Sequence, residues 1–474
     1  MDEESDPRSD SLFSVRLRLP LPLNAEIAAA RTAGRLSRLT GAGGGTTMPG
    51  KLLWKLDPDA VNRLAARLPL GSAVISATNG KTTTAAMVAE ILGPSTRLAH
   101  NAAGANLVSG VASALLEARD AELGLFEVDE AALPQLLERL RPRAVCLGNL
   151  FRDQLDRYGE LEHVAARWRQ SVRLLDPSAA LVVNADDPQV GELARTRSGA
   201  ITFGLDDIRQ ARSSLQHAAD SKYCVRCGTP YAYAAAYVGH LGDYRCPACG
   251  HGRPGLAVRA RSIELGGLES VSFQLETPDG SRRVRLGVPG LYNVYNALAA
   301  ASLANALGAS LDEAAEGLER FSAAFGRFER IAAGDRHMLM LLIKNPAGAN
   351  EAVRTLVDGG PPVVAVIALN DRIADGRDVS WIWDVDFEPL LPTLERLVAT
   401  GQRAAELALR FKYAGFDPAA IEVIPSLERA LDRGLHLAPP GGELVVLPTY
   451  TAMLDLRKIV SDRGLVRPYW ERAA

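Results

Sequence analysis

Residues 76–84 have the types and the spacing of a phosphate-binding loop, because they read Ser-Ala-Thr-Asn-Gly-Lys-Thr-Thr-Thr. An apolar run at 73–75 precedes them, and apolar residues at helical spacing follow. In a loop between a strand and a helix, backbone N–H groups surround a phosphate, the lysine neutralises its charge and the first threonine hydroxyl can reach Mg²⁺. Ile75 occupies the position of the first glycine in the longer Gly-x-x-x-x-Gly-Lys-Thr pattern, so the match to that pattern is incomplete. The assignment therefore also depends on the strand predicted before the turn and the helix predicted after it. The sequence predicts a nucleoside triphosphate site at Thr78, Asn79, Gly80, Lys81, Thr82 and Thr83.

Four of the five cysteines form two Cys-x-x-Cys pairs with 18 residues between the pairs. A glycine follows each pair, and this spacing is typical of a zinc ribbon. Four thiolates fill a tetrahedral shell, so we expect a structural Zn²⁺; disulfides would be the alternative in a secreted protein. Cys146 lies in an apolar run and is expected in the core. The expected ligands are Cys224, Cys227, Cys246 and Cys249, and the nearby histidines left without a role are His240 and His251.

The length and charge of the chain exclude some classes of protein. A chain of 474 residues is long enough for two or three domains. Its net charge of −3 gives no reason to expect nucleic-acid binding, and no run reaches the roughly 18 apolar residues that span a bilayer. Residues 1–23 are acidic and then broken by arginine and proline, unlike a signal peptide, so we expect a disordered leader and a cytoplasmic protein.

Apolar strand-like runs alternate with helical patterns from about residue 24 to 203, which predicts a parallel α/β sheet. From about 205 to 271, tyrosine, glycine and the paired cysteines replace that alternation, so this region is interpreted as an insertion. We therefore expect a central domain at 24–333 that carries the insertion, and a C-terminal Rossmann-like α/β domain at 334–474. The predicted strands are 73–77, 123–128, 144–147, 181–183, 338–343, 363–369, 421–424 and 444–447.

Polar residues follow several of these strands, where α/β folds bind their ligands. Residues 125–130 end in an acidic Glu-Val-Asp-Glu, in which Glu127 could bind Mg²⁺ directly or through water. Residues 149–159 and 183–188 are polar segments after the next two strands. Two more motifs follow, Pro-Gly-Leu-Tyr-Asn-Val-Tyr-Asn-Ala at 289–297 and Phe-Gly-Arg-Phe-Glu at 325–329.

Taken in order, these motifs resemble the Mur ligase family, which includes the folylpolyglutamate synthases, over about residues 40–474. In that family ATP phosphorylates a carboxylate, and an amine attacks the acyl phosphate to form an amide. The resemblance implies a P-loop ATPase domain in which Lys81 and Thr82 bind phosphate and Mg²⁺ and Glu127 serves the metal. It further implies that Asn293 and Asn296 lie near the adenine and that Arg327 lies near the phosphates.

The departures from the family pattern are also informative. Ala77 replaces a loop glycine, Gln154 replaces a common metal-binding histidine, and residues 343–348 read Ile-Lys-Asn-Pro-Ala-Gly where the family has Ala-His-Asn-Pro. Together with the cysteine ribbon and residues 375–388, they resemble the MurT group of the family, the ligase subunits of lipid II isoglutaminyl synthases. That group uses ATP to amidate the α-carboxyl group of the stem D-glutamate of lipid II, with ammonia from a glutaminase partner, GatD. The resemblance implies action at the inner face of the cell membrane.

A need for such a partner fits this chain, which has no Gly-x-Cys-x-Gly nucleophile elbow. Asp371 follows the apolar run 363–369 and should lie exposed at the carboxyl end of a strand. The resemblance implies that Asp371 orients the partner's catalytic histidine and so completes a Cys-His-Asp triad in trans. An aspartate that caps a turn is the alternative, and Asp378 and Asp384 are competing carboxylates.

Lys344 is a second catalytic candidate, because a cation near the acceptor carboxylate or its acyl phosphate would stabilise developing charge. A surface lysine is the alternative. Trp381 and Trp383 would face the same way on an extended segment, as a partner-binding surface or as core residues.

Two other functions compete with partner-dependent amidation. A stand-alone amino-acid ligase of the Mur or folylpolyglutamate type would need neither ammonia nor a partner. A non-catalytic, nucleotide-dependent scaffold that activates a glutaminase would show no ATP hydrolysis dependent on the acceptor.

Overall fold

The computed structural model describes residues 27–28, 30–32, 47–101, 105–153, 161–216, 219–322, 327–360 and 362–466. The leader expected at 1–23 and residues 154–159 of the polar segment, Gln154 among them, lie outside this part of the chain. Within it, no helix combines the length and the apolar character needed to cross a membrane.

A nine-stranded sheet forms the central domain, in the order β11-β10-β9-β6-β5-β4-β1-β3-β2. Seven neighbouring strands of this sheet pair in parallel, namely β9, β6, β5, β4, β1, β3 and β2, and β10 and β11 add an antiparallel edge. The parallel α/β sheet predicted from the apolar runs is confirmed. The strands are β1 Ser72–Ser76, β2 Leu98–His100, β3 Leu123–Glu127, β4 Ala144–Leu147, β5 Ala180–Asn184, β6 Ile201–Leu205, β9 Val258–Gly266, β10 Ser270–Thr277 and β11 Gly280–Leu286.

Helices cover both faces of this sheet because its parallel strands are apolar on both sides. One core lies under α3, α8 and α9, and the opposite core lies under α1, α2, α4, α5, α6 and α7. Cys146 is fully buried in the first of these cores, as expected. The helices are α1 Met48–Leu56, α2 Ala60–Ala65, α3 Lys81–Leu92, α4 Val108–Glu117, α5 Leu133–Leu140, α6 Leu161–Arg173, α7 Pro188–Ala194, α8 Leu291–Ala306 and α9 Leu311–Arg320.

The cysteine ribbon leaves the sheet after β6 and returns to it at β9. Between them lies an antiparallel hairpin of β7 (Ala232–Val238) and β8 (Leu241–Arg245). The insertion predicted at about 205–271 therefore includes β9, which pairs with β6 in the main sheet. Only alternate positions of β9 are buried at its start, so its sequence lacks the continuous apolar run of the parallel strands.

The C-terminal domain has a six-stranded sheet in the order β12-β13-β17-β14-β15-β16. All its pairs are parallel except the β12–β13 hairpin. The boundary expected at 333/334 falls inside that hairpin, because the turn glycine Gly334 (φ +68°) reads as a linker in the sequence. The elements are β12 Arg327–Ala333, β13 Arg336–Leu341, α10 Pro346–Gly359, β14 Val364–Ala368, β15 Arg396–Thr400, α11 Ala404–Tyr413, β16 Ile421–Val423, α12 Leu427–Leu437, β17 Glu443–Pro448 and α13 Tyr450–Asp462.

The two tryptophans do not share one face as the sequence suggested. Ser380–Asp384 form a 3₁₀ turn rather than an extended segment. Trp381 packs partly buried on the C-terminal core, whereas Trp383 is 47% exposed and lies against Tyr413 at 5.9 Å between ring centroids. In an extended strand, side chains two residues apart point the same way. In a 3₁₀ turn about three residues complete one turn, so side chains two residues apart point in different directions.

Candidate nucleotide and ligase site

The phosphate loop lies between β1 and α3, as the sequence predicted. Gly80 is the residue before the helix and has φ +90°, a conformation that favours glycine. A Cβ atom at Gly80 would lie 2.0 Å from Asn296 Oδ1, so glycine is also required by space. Lys81 begins α3, and the first-turn N–H groups of the helix are therefore directed at the loop.

Hydrogen bonds to the segment after β4 fix the loop. Asn149 Oδ1 accepts from the Asn79 N–H at 2.9 Å, and Asn149 Nδ2 donates to the Asn79 carbonyl at 3.0 Å. The Thr78 hydroxyl accepts from the Phe151 N–H at 3.0 Å. The loop is thus held in shape by the neighbouring strand end before any ligand binds.

Lys81 is buried and paired with Glu130, whose Oε2 lies 2.7 Å from Lys81 Nζ. Burial opposes the charge of Lys81, but the carboxylates of Glu130, Asp129 and Glu127 outweigh it and raise the lysine pKa. Burial also works against the charge of Glu130, yet Lys81 and Lys344 lower its pKa. The ammonium is therefore charged and held beside the loop.

Lys344 reaches this cluster from the C-terminal domain. Its Nζ donates to the Thr78 carbonyl at 3.1 Å and lies 2.6 Å from Asp153 Oδ2. Asp153 Oδ1 is buried and has no hydrogen-bond partner within the described residues. Burial raises the pKa of Asp153, Lys344 lowers it, and the net shift is upward. Two cations and two carboxylates thus converge on the loop, although no individual role for Asp153 or Glu130 was predicted from the sequence.

Thr82 and Glu127 bring two oxygen ligands of the kind that Mg²⁺ prefers close together. The Thr82 hydroxyl donates to Glu127 Oε1 at 3.0 Å, at the start of α3 and the end of β3. Asn101 fixes the backbone of Glu127 through its Oδ1, which accepts from the Glu127 N–H at 2.9 Å, and its Nδ2, which donates to the carbonyl at 2.7 Å. A hydroxyl and a carboxylate oxygen are ligands that Mg²⁺ prefers, so these residues fit the ion.

A cleft opens from the phosphate loop between the central and C-terminal domains. Asn293 and Asn296 line it and contact each other, since Asn296 Nδ2 donates to Asn293 Oδ1 at 3.0 Å. Arg327 begins β12, and its backbone alone is described. The cleft is also lined by residues of the ribbon hairpin and of α10, namely Val238, Leu241, Ala347, Gly348, Glu351 and Ala352.

The polar segment after β5 is structural. Asp187 caps α7 by accepting from the N–H groups of Gln189 and Val190. Asp186 is fully buried and accepts from the Tyr295 hydroxyl at 2.7 Å and from Arg253 at 3.0 Å. These carboxylates join the ribbon to the central sheet, so they are not available to a nucleotide.

The four cysteine sulfurs lie within 4.8 Å of one another. The Cys224–Cys249 and Cys227–Cys246 separations are 3.6 and 3.4 Å, close to the roughly 3.8 Å edge of a tetrahedral Zn–S₄ site with bonds of about 2.3 Å. The cysteines therefore fit Zn²⁺. The two histidines nearby have other partners, since His251 Nε2 lies 2.9 Å from Glu192 Oε2 and His240 Nε2 lies 3.3 Å from Asp187 Oδ2.

Asp371 follows β14, as predicted from the apolar run before it, but it is partly rather than fully exposed. Its Oδ2 lies 2.8 Å from Arg403 Nε. Lys344 follows β13 at the same edge of the parallel sheet, with β17 between the two strands. Two strand spacings, about 10 Å, therefore separate the strand ends that lead to these residues.

The competing carboxylates have different surroundings. Asp378 is exposed and accepts from the Ser380 N–H at 2.9 Å, and this hydrogen bonding to Ser380 lowers its pKa. Asp384 lies 3.5 Å from the Arg152 guanidinium of the central domain. Of the three, Asp371 is the one directly beyond a parallel strand.

Comparisons with known proteins agree with this architecture. A family described as the Mur ligase middle domain matches residues 75–242, and one described as the MurT ligase C-terminal domain matches residues 342–453. The chain is 32% identical to the lipid II isoglutaminyl synthase (glutamine-hydrolyzing) subunit MurT of Streptococcus pneumoniae, over 94% of this chain and 99% of that protein. It is 30% identical to the MurT subunit of Staphylococcus aureus strain N315, over 90% of this chain and 95% of that protein.

Solved structures share the fold. A pseudomurein peptide ligase type C from Methanothermus fervidus superposes with a TM-score of 0.67 at 21% identity, over 85% of this chain and 80% of that one. MurF from Acinetobacter baumannii gives a TM-score of 0.63 at 22% identity, over 86% of this chain and 80% of that one. The fold predicted from the motifs is confirmed.

Proposed function

This chain belongs to the MurT family of Mur ligases, which are ATP-dependent ligases, and from that premise we propose that it amidates the α-carboxyl group of D-glutamate in the lipid II stem peptide. The product is D-isoglutamine, and the nitrogen is ammonia supplied by a GatD-like glutaminase. The observation that carries the proposal is the position of Lys344. It brings a cation from the domain matched by the MurT C-terminal family into contact with Thr78 of the phosphate loop.

Chemistry at the loop follows from these charges. The acceptor carboxylate attacks the γ-phosphorus of ATP and ADP departs; ammonia then attacks the acyl carbon, loses a proton and releases phosphate. Both steps move negative charge onto phosphate oxygens, which fixed cations stabilise. Lys81 serves the β- and γ-phosphates, and Lys344 serves the acyl phosphate.

Other residues bind and orient the nucleotide. Thr78, Asn79, Gly80 and Thr83 form the phosphate loop, Asn293 and Asn296 lie near the adenine, and Arg327 lies near the phosphates. Thr82 and Glu127 would hold Mg²⁺, which neutralises phosphate charge when bound. A structural Zn²⁺ would be held by Cys224, Cys227, Cys246 and Cys249.

Asp371 acts on the partner rather than on ATP. Its carboxylate orients the catalytic histidine of the glutaminase and stabilises the imidazolium that forms during glutamine hydrolysis. The protein is cytoplasmic in this proposal and meets lipid II at the inner face of the cell membrane.

The test is phosphate and amide release from ATP and a lipid II-type acceptor. Three reactions are compared: ammonium, glutamine, and glutamine with a GatD-like partner. Product with ammonium alone, but with glutamine only when the partner is present, is expected. Incorporation of a free amino acid with no use of ammonium would instead identify a stand-alone ligase, and the absence of acceptor-dependent ATP hydrolysis would identify a scaffold.

A further inference from the structure

One oxygen of a buried carboxylate in the nucleotide cleft has no partner. Glu351 lies on α10, lines the cleft and is 3% exposed. Its Oε1 accepts from Arg212 Nη2 at 3.1 Å and from Gln216 Nε2 at 3.5 Å, both of the ribbon insertion. Its Oε2 is buried and makes no hydrogen bond to any residue that the structure describes. Burying a carboxylate oxygen without a donor is costly, so a donor that the described residues do not supply is expected here.

The two ends of the cleft differ in chemistry. At one end lie Asn79, Gly80 and Lys344, which belong to the phosphate loop and its cations. The rest of the lining is mostly apolar and aromatic, interrupted by polar side chains that include Asn293, Asn296 and Glu351. The rings of Tyr292 and Phe328 lie 6.4 Å apart between centroids, with an angle of 30° between their planes. Flat aromatic surfaces suit a planar base, so a nucleotide bound with its phosphates on the loop extends its base into this apolar part. Val238 and Leu241 of the ribbon hairpin also line the cleft.

We propose that Glu351 Oε2 accepts a hydrogen bond from the 6-amino group of adenine, which makes Glu351 a specificity-determining residue for the nucleotide. This inference rests on the proposed use of ATP. Burial raises the pKa of Glu351, against the lowering influence of Arg354 and Arg212, as expected for a carboxyl group that is short of donors. A site built around a hydrogen bond discriminates strongly against an analogue that lacks the donor, because the buried acceptor then stays unpaired.

A purely structural role is the competing explanation. In that case Glu351 serves only to join α10 to the ribbon through Arg212, and the identity of the base is irrelevant to it. The two explanations differ in what happens when a single amino group is removed from the ligand.

The first experiment measures equilibrium binding of ATP and of purine riboside triphosphate to the zinc-loaded full-length chain with Mg²⁺. The analogue lacks only the 6-amino group. We expect it to bind about tenfold to a hundredfold more weakly, the range for a hydrogen bond to a charged group. Equal affinities would overturn the proposal for Glu351, whereas failure of both nucleotides to bind would overturn the proposed function itself. Tighter binding of GTP than of ATP would also overturn the proposal for Glu351.

The second experiment uses Glu351→Leu, which removes the acceptor, and Arg212→Leu as the matched control, which breaks the same contact between α10 and the ribbon. Glu351→Leu should bind ATP and the analogue within about threefold of each other, and Arg212→Leu should keep the preference for ATP. Loss of the preference in both variants to the same extent would favour the structural role. Thermal unfolding and zinc content establish that each variant is folded.

Discussion

Arg403 Nε lies 2.8 Å from Asp371 Oδ2, so the carboxylate proposed to complete the partner's triad is already part of an ion pair. The same guanidinium lies 2.7 Å from Glu406 Oε1. The Asp371 side chain is 22% exposed, which means that Arg403 fixes its orientation without covering it. A partner's imidazole would therefore meet a carboxylate with a defined direction.

Replacement of Asp371 by Asn should separate the two half-reactions. Glutamine-dependent amidation in the presence of the partner should fall by about 10³- to 10⁴-fold, because an amide neither holds the imidazole tautomer nor stabilises the imidazolium. Ammonium-dependent amidation should stay within about twofold of the wild type. Both rates are measured as amide product with a lipid II-type acceptor. Asp378→Asn is the matched control, and an equal loss in that variant would contradict the role of Asp371.

Replacement of Lys344 by Met should lower the rate with either nitrogen source. Loss of one cation from the transferring phosphoryl group is expected to reduce kcat by about 10²- to 10³-fold. ATP binding through Lys81 should persist, so nucleotide affinity and turnover are measured separately. A change in ATP affinity with turnover intact would show that Lys344 only anchors the C-terminal domain to Thr78 and Asp153.

Replacement of Lys81 by Met should destabilise the protein in addition to abolishing turnover. It leaves the buried carboxylate of Glu130 without its partner, and breaking a buried pair in this way costs about 3–5 kcal/mol. The added change Glu130→Gln should recover part of that loss. The free energies of unfolding are measured by urea denaturation of the single and double variants.

The same pair sets a pH dependence. Because the pKa of Glu130 is lower in the folded state than in the unfolded chain, its stabilising contribution is present above the unfolded pKa of about 4. It is lost as pH falls through the lower, folded pKa. The difference in unfolding free energy between the wild type and Glu130→Gln should therefore shrink as urea titrations are taken below about pH 4. A difference that does not change with pH would show that folding leaves the pKa of Glu130 unchanged.

Loss of zinc should loosen the contact between the domains. Helix α10 rests on the ribbon insertion, where Arg354 donates to the carbonyls of Tyr237 at 2.8 Å and Gln210 at 3.2 Å. Cys227→Ser should lower zinc content, lower Tm and weaken ATP binding, because the ribbon also forms a wall of the cleft. Cys146→Ser is the control, since Cys146 is not a ligand. Full ATP affinity in a zinc-free Cys227→Ser protein would contradict this coupling.

The parts of the site that the sequence predicts are local in the chain. The phosphate loop occupies nine consecutive residues and the cysteines lie in two short pairs, so their spacing alone carries geometric information. Glu351, Asp153 and Arg403 carry no such signal. Each acquires its role from a residue at least 30 positions away, such as Arg212 for Glu351, and only the packed fold makes that contact.

The sheet edges show the same limit. Strands β1, β3, β4 and β5 are buried on both faces and read as continuous apolar runs, so periodicity locates them to within a residue or two. Strands β9, β10 and β11 expose one face, and β9 and β11 carry arginines there, which makes them resemble polar connecting segments. Strand β9 joins the sheet by pairing with β6, β10 pairs with β9, and β11 pairs with β10. The local sequence does not encode these contacts.

The shared edge that carries Lys344 and Asp371 has a consequence for the fate of the nitrogen. Ammonia that escapes into neutral water becomes ammonium, which has no lone pair with which to attack a carbonyl carbon. If glutamine is hydrolysed beside Asp371 and the acyl phosphate forms beside Lys344, the reactive species crosses about two strand spacings of protein surface. The docked partner alone could cover a path of this length and exclude water from it. Docking of the glutaminase would then complete its triad and also keep the ammonia unprotonated until it reacts.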